Sequence, residues 1–336
     1  MSKTLIIAEA GVNHNGSLET ALKLVHAAVD AKADIVKFQT FKAKLLATKD
    51  APTADYQKNN LKKSEQSTDS QYEMLKKLEL SQEDHHVLMA ECKKLNIGFL
   101  STAFDFESLD FLISLKLGLW KIPSGEITNL PYLEIIGKLN QPVIVSTGMC
   151  NLTEVKEALD VLLKSGTQKE KLTVLHCNTD YPTKMEDVNL LAMQAMGKEF
   201  GVAYGYSDHT LGLEVPTAAV ALGATVIEKH FTLDRNMAGP DHAASLEPHE
   251  LKQMVSAIRL VEKALGKPIK APTASESVNK AVARKSIVAS KTIKQGEVLT
   301  TMNITTSRPG TGISPMKWYD VLGTKAAKDY NVGDMI

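Results

Sequence analysis

Apolar and polar positions along this chain repeat as a two-part unit. A short run rich in β-branched residues ends in polar ones, and a stretch with apolar residues three and four apart follows. The short runs, Leu5–Glu9, Asp34–Gln39, Gly98–Thr102, Leu119–Pro123, Pro142–Thr147, Leu172–Cys177, Val202–Ser207 and Thr225–Lys229, predict strands. The stretches Leu18–Ala31, Gln82–Leu95, Glu107–Leu117, Pro131–Leu139, Leu152–Ser165, Asn189–Lys198, Leu213–Leu222 and Pro248–Leu265 predict helices. Eight such units in this length predict an α/β fold, a closed (β/α)8 TIM barrel. A doubly wound open sheet is the alternative, and the missing Gly-rich dinucleotide fingerprint after the first run counts against it.

Three departures from the repeat matter. The polar insertion Lys42–Gln71 follows the second predicted strand, on the side where barrels keep their chemistry, and reads as a substrate-covering loop. Residues 267–282, with Pro268, Pro272 and few large apolar side chains, read as a linker. Residues 283–336 then resume in short β-type runs with turn residues, a compact β-rich module that at this size gains from resting on another surface. The expected domains are therefore a barrel over 1–266, the linker, and the module.

Composition narrows the partners. The formal charge is +0 over 336 residues, which gives no electrostatic bias toward nucleic acid or an anionic membrane. No apolar run approaches the roughly 18–20 residues of a membrane span, and the N-terminus runs straight into a strand pattern without secretory-signal regions. Three cysteines, Cys92, Cys150 and Cys177, form neither a disulfide framework nor a zinc-ribbon spacing, which fits the reducing cytoplasm.

Residues just past the strand ends of a barrel face one mouth. Here they are Glu9, Asn13 and His14; Lys37 and Gln39; Ser101 and Thr102; Lys121, Ser124 and Glu126; His176, Asn178 and Tyr181; Ser207, Asp208 and His209; Glu228 and His230; then Asp241 and His242. Lys37 and Lys121 are cations in an apolar setting, and buried lysines are costly unless paired or liganded. With Thr102, Ser124, Asn178 and Ser207 they suit a phosphate and a carboxylate, as on phosphoenolpyruvate. The plainer reading is internal ion pairing with Glu9, Glu126 and Glu228. His209 and His230 end adjacent strands with Asp208 and Glu228 beside them, which suggests an open site for Mn²⁺, Mg²⁺ or Fe²⁺. Zinc with Cys177 as a third ligand, or two hydrogen-bonded core histidines, are the other readings. His26, His85, His86 and His249 fall in solvated helical stretches, and the cysteines read as structural.

Ten segments carry a resemblance: Glu9 to Gly16 (EAGVNHNG), Val36 to Phe41 (VKFQTF), Lys121 to Glu126 (KIPSGE), Ser146 to Met149 (STGM), His176 to Pro182 (HCNTDYP), Tyr206 to Thr210 (YSDHT), Glu228 to Phe231 (EKHF), Gly239 to His242 (GPDH), Ala283 to Ser286 (ARKS) and Arg308 to Gly310 (RPG). In this order they closely resemble the bacterial sialic acid synthases, a group that includes legionaminate and pseudaminate synthases. The resemblance implies a barrel followed by an antifreeze-protein-like (SAF) domain. It also implies a transferase that condenses phosphoenolpyruvate with an N-acetylated hexose and releases phosphate. The domain-swapped homodimer it implies brings Arg308 to the sugar's N-acyl group in the other protomer.

By matching positions, His209 and His230 would hold Mn²⁺. Lys37 would meet the phosphoenolpyruvate carboxylate, and Lys121, Ser124, Thr102, Asn178 and Ser207 its phosphate. Gln39, Tyr181, Asp241 and Arg308 would contact the sugar. Glu126 is the expected proton carrier, with Glu9 and Asp241 as groups that orient water. The leading substrate expectation is N-acetylmannosamine, giving N-acetylneuraminate. The alternative is 2,4-diacetamido-2,4,6-trideoxymannose, giving N,N'-diacetyllegionaminate. A synthase for a phosphorylated sugar would need more cations than the arginines Arg235, Arg259, Arg284 and Arg308 provide at strand ends. A non-catalytic carbohydrate- or ice-binding protein is the rival from another class. One departure from the family pattern is Ala103, where proline is usual.

Overall fold

The computed structural model describes residues 3–46 and 70–336, so most of the insertion Lys42–Gln71 lies outside the described residues. Two compact units emerge, Met1–Gly266 and Lys267–Ile336.

In the first unit the parallel strands are β1 (Leu5–Gly11), β2 (Ile35–Thr40), β3 (Gly98–Ala103), β4 (Trp120–Ile122), β5 (Val143–Ser146), β6 (Leu172–His176), β7 (Ala203–Asp208) and β8 (Val226–His230). Their ladder order is β3-β2-β1-β8-β7-β6-β5-β4. The two end strands, β3 and β4, pack on each other, so the sheet curls into a nearly closed barrel. Both strand faces are covered, which explains why β5 and β8 are buried at every residue and read as near-continuous apolar or site positions.

The helices fill the gaps between strands as the apolar spacing requires. Leu152–Ser165 buries Val155, Ala158, Leu159 and Leu162, one stripe three and four residues apart. Asn151 and Glu154 form a capping box at its start, and Gly166, at φ 130°, ends it. Inside the barrel, Ile7, Leu100, Ile144, Leu175 and Val226 form an apolar floor. One pleat further on, the inward positions become polar: Ile7 is followed by Glu9, Leu100 by Thr102, and Val226 by Glu228 and His230. Period-two alternation thus puts the site residues on top of the floor.

Beyond β2, short helices flank the residues that are not described, Ala43–Leu46 at the start of the insertion and Gln71–Lys76 at and after its end. Their stems are tied to the barrel. Ala43 N donates to Glu79 Oε1 at 2.7 Å and Lys42 N to Asp105 Oδ2 at 2.7 Å. Gly16 sits so close to the Lys77 carbonyl that a Cβ there would lie 2.2 Å from it, and its φ of 74° also requires glycine.

The second unit pairs β9 (Ser286–Ala289) with β10 (Ile304–Ser307) antiparallel, with isolated bridges at Val288–Met335, Ile293–Tyr330 and Val298–Lys325. Ile287, Ile293, Leu299, Ile304 and Tyr330 contribute to its small core. The segment read as a linker holds a helix, Ala274–Ala283, opened by a Thr273–Glu276 capping box. Its apolar residues are few because none of its side chains is buried, so the composition that suggested a linker was reporting exposure.

Among the described residues, no helix is long and apolar enough to cross a membrane.

Candidate active site

Four buried charges meet above the floor. Lys37 Nζ lies 2.8 Å from Glu9 Oε2 and 3.6 Å from Glu228 Oε2. Lys121 Nζ lies 3.4 Å from Glu228 Oε1. Ser207 Oγ donates to Glu228 Oε1 at 3.0 Å, Lys37 to Thr102 Oγ1 at 3.3 Å, and Gln39 Nε2 to Glu9 Oε1 at 3.2 Å. The strand register makes this assembly: Glu9 is level with Lys37 and His230, Gln39 with Thr102, and Ser207 with Glu228.

The two carboxylates differ in environment. Burial opposes the charge on Glu228, but Lys121 and Lys37 together outweigh it and hold the group down to about 2. Glu9 has one lysine where Glu228 has two, and burial pushes it up to about 7. Burial also lowers Lys121, whereas on Lys37 the pull of Glu228 and Glu9 overcomes burial and the net direction is upward. The internal-pairing reading therefore holds for Glu9 and Glu228. Glu126 takes no part: it is half-buried and accepts from Asn129 Nδ2 at 2.6 Å, and burial raises its pKa.

The imidazoles of His209 and His230 stand 5.4 Å apart, centre to centre. Tyr181 lies 4.0 Å from the first ring and edge-on to the second at 5.7 Å. His209 Nδ1 bonds the Asn178 carbonyl, which leaves Nε2 as the lone-pair nitrogen. His230 Nδ1 is buried without a hydrogen-bonding partner and 4.0 Å from Asp241 Oδ2. Burial lowers His209 to about 4 and His230 well below its usual value, so both rings are neutral at pH 7. Burial raises Asp241 to about 6.

Neutral, converging imidazoles with an orphaned nitrogen fit a divalent metal. Among the described residues, no group of three or more His, Cys, Asp or Glu is arranged to hold one, so the protein would supply two nitrogens and leave the other positions to substrate or water. Asp208 is not beside this pair. It turns outward and bonds Lys229 Nζ at 2.5 Å and Thr210, because β7 and β8 alternate inward and outward positions. Cys177 lies 3.3 Å from Ser124 Oγ rather than at the imidazoles, and burial raises its thiol pKa.

Other expected residues gather nearby. Ser124 Oγ accepts from Gly148 N at 2.9 Å and shares a hydrogen bond with Cys177 Sγ at 3.3 Å. Asn178 Oδ1 accepts from Asp180 N at 2.7 Å. Ser101 faces outward and bonds Thr40. His85, read as solvated, is fully buried between Thr40 Oγ1 and the Ser81 carbonyl; a helix facing the barrel buries a polar side chain whenever a strand hydroxyl is there to receive it. Arg308 belongs to the second unit, where it is exposed and its Nε donates to the Ala283 carbonyl at 3.1 Å.

A cavity of about 280 Å³ adjoins the His230 imidazole. Its lining includes the polar Gln39, Gln71, Tyr181, His230 and Asp241 and the apolar Phe41, Leu46, Met74 and Phe104. The apolar lining was not anticipated from sequence. The only signal was the spacing of Met74, Leu75 and Leu78, too short a run to distinguish a wall from ordinary core.

The NeuB family model matches residues 24–270, and the SAF domain model matches residues 284–336. The chain belongs to the NeuB family. This member is 53% identical over 336 residues to the N,N'-diacetyllegionaminic acid synthase of Campylobacter jejuni, covering 100% of this chain and 99% of that protein. It is 48% identical over 330 residues to the enzyme of the same name from Legionella pneumophila, covering 98% and 92%. The N-acetylneuraminic acid (sialic acid) synthetase structure from Leptospira borgpetersenii matches with a TM-score of 0.71 and 33% identity, over 83% of this chain and 90% of that one. Like its relatives in the NeuB family, the protein is an enzyme, a barrel joined in sequence to a SAF domain.

Proposed function

We propose that the protein condenses phosphoenolpyruvate with 2,4-diacetamido-2,4,6-trideoxymannose and water, forming N,N'-diacetyllegionaminic acid and phosphate. The observation that carries the chemistry is the buried array of Lys37, Lys121, Glu9 and Glu228 beside two neutral imidazoles. The choice of sugar rests on whole-length similarity to two proteins named N,N'-diacetyllegionaminic acid synthase. It reverses the order expected from sequence, where N-acetylmannosamine came first.

In this reading Lys37 receives the carboxylate of phosphoenolpyruvate, and Lys121 its phosphate together with Ser124, Thr102, Asn178 and Ser207. Charge-assisted hydrogen bonds in a water-poor site are strong and fix both ends of the molecule. Glu228 favours the charged form of both ammonium groups. His209 and His230 would hold Mn²⁺, which when bound supplies Lewis-acid polarisation of the sugar aldehyde. Carbon 3 of phosphoenolpyruvate bonds to that aldehyde carbon, water adds at carbon 2, and the C–O bond to phosphate breaks.

Glu9 suits the proton-handling role better than Glu126. It is buried against Lys37 and poised near neutrality, whereas Glu126 is half-exposed and tied to Asn129. Asp241, beside His230, is placed to orient water or a sugar hydroxyl. Arg308 would reach the N-acyl oxygen of a sugar bound in the partner subunit of a domain-swapped homodimer, where a planar guanidinium gives a directional contact.

The test is phosphate release with phosphoenolpyruvate and each of the two sugars, before and after chelation and Mn²⁺ return. A higher kcat/KM for the trideoxy sugar, lost on chelation and restored by Mn²⁺, is expected. Preference for N-acetylmannosamine would refute the sugar assignment, and metal-independent turnover would refute the metal. For the swapped dimer, mixing Arg308→Ala with Lys121→Met subunits should recover activity at low sugar that neither variant has alone.

A further inference from the structure

We infer that the apolar wall formed by the stems of the insertion after β2, together with Phe104, reads the far end of the sugar, selecting a substrate with a methyl group at carbon 6 over one with a hydroxymethyl group. The inference rests on the proposed function for one point only, that the sugar's aldehyde end lies at His209 and His230. From there the rest of the chain has to run into the adjoining cavity. Among its lining residues Gln39, Gln71, Tyr181 and Asp241 can hydrogen-bond hydroxyls. Phe41, Leu46, Met74 and Phe104 offer contact but no hydrogen bond.

The wall is held in place. Phe41 and Met74 are buried, and Phe41 packs edge-on to Phe104 at 6.5 Å. The Ala43–Glu79 and Lys42–Asp105 bonds pin both stems. These residues also belong to a small apolar cluster with Val12, Leu75 and Leu78, and a cluster under a long insertion is ordinarily just a satellite core. A satellite core faces only itself. This one also faces the cavity shared with His230, with Leu46 and Phe104 half-exposed toward open space.

A hydroxyl set against such a wall loses its water without gaining a partner. Apolar pockets reject an added hydroxyl by about 10- to 100-fold in kcat/KM, not more. The wall therefore supplies a preference of that size for carbon 6, while carbon 4 is a separate question.

The experiment compares 2-acetamido-2,6-dideoxymannose with N-acetylmannosamine, which differ only at carbon 6, in the full-length enzyme with Mn²⁺ and saturating phosphoenolpyruvate. Wild type is expected to favour the 6-deoxy sugar by about 10- to 100-fold. Leu46→Gln and Met74→Gln put an amide on the wall and should reduce that ratio by about fivefold or more, leaving the KM for phosphoenolpyruvate unchanged. Leu46 is half-exposed, so its variant keeps the test valid if Met74→Gln unfolds. An equal fall for both sugars, or an unmoved ratio in a Leu46→Gln enzyme that melts like wild type, overturns the wall. The sugar assignment fails separately: wild type that prefers N-acetylmannosamine over the trideoxy sugar refutes that reading. The carbon 6 ratio in the variants still decides the wall.

Discussion

Glu228 and Lys229 are neighbours in β8, both buried and both ion-paired, yet they belong to two different assemblies. Outside the barrel, Lys229 Nζ donates to Asp208 and to the Thr210 carbonyl, and Asp208 also accepts from Thr210 N and Oγ1. That cluster is closed. Inside, Glu228 Oε2 and His230 Nδ1 have no hydrogen-bonding partner, and Lys121 comes no nearer than 3.4 Å to a carboxylate. That cluster is less completely paired: Lys37 reaches Glu9 at 2.8 Å, while Lys121 has only the longer contact to Glu228. Buried charge is thus no guide to function until its hydrogen bonds are counted.

The difference predicts opposite responses to substitution. The largest effect is expected inside. Lys121→Met or Lys37→Met should cut kcat/KM for phosphoenolpyruvate by about 10²- to 10³-fold, since a donor aimed at transition-state charge is worth that much. For Lys121→Met melting temperature should not fall, because it removes a costly buried cation while Lys37 stays paired with both Glu9 and Glu228. A large loss of stability would mean that the inner array is structural after all.

Next in size is the outer pair. Lys229→Met strands a buried carboxylate and should destabilise the barrel by about 3–5 kcal/mol in denaturant unfolding. Adding Asp208→Asn should recover much of that. Activity per folded molecule should fall far less than in the lysine variants inside. If the recovered double variant binds Mn²⁺ much more weakly in titration calorimetry, the outer cluster does more than hold the fold.

The smallest effect concerns Glu9. Its folded-state pKa of about 7 lies above the ordinary 4.5. The stabilising contribution is therefore complete below about pH 4.5 and is lost as pH rises through about 7. Glu9→Gln mimics the protonated form. It should raise stability by about 1–3 kcal/mol at pH 8 and change little at pH 4, while suppressing turnover. Equal effects at both pH values would contradict the assigned shift.

Much of the barrel was readable in advance because the strands and helices follow two simple periods, and the observed strands fall on the predicted runs. Less readable was the direction of each side chain. Asp208 precedes His209, and a one-residue step flips a side chain to the other face, so motif proximity placed beside the imidazoles a carboxylate that the pleat separates from them. The helix Ala274–Ala283 was hidden by its exposure, although the Thr273–Glu276 box marked its start. His85 was misjudged because sequence cannot say which helical polar residue meets a strand hydroxyl. The cavity wall was beyond reach for a further reason. Phe41 and Met74 are thirty-odd positions apart, and only the tied stems of the insertion bring them together.

The apolar floor of Ile7, Leu100, Ile144, Leu175 and Val226 has a kinetic corollary. A barrel sealed from below has one entrance, and whatever lies deepest enters first and departs last. On the proposed function, the anion that Lys37 and Lys121 would hold over the floor is the leading substrate, the sugar follows it, and the inorganic leaving group is trapped beneath the sugar acid until that product clears the mouth. Steady-state kinetics should accordingly be sequential and ordered, with phosphate competing against the anionic substrate and the sugar acid against neither in a simple competitive way.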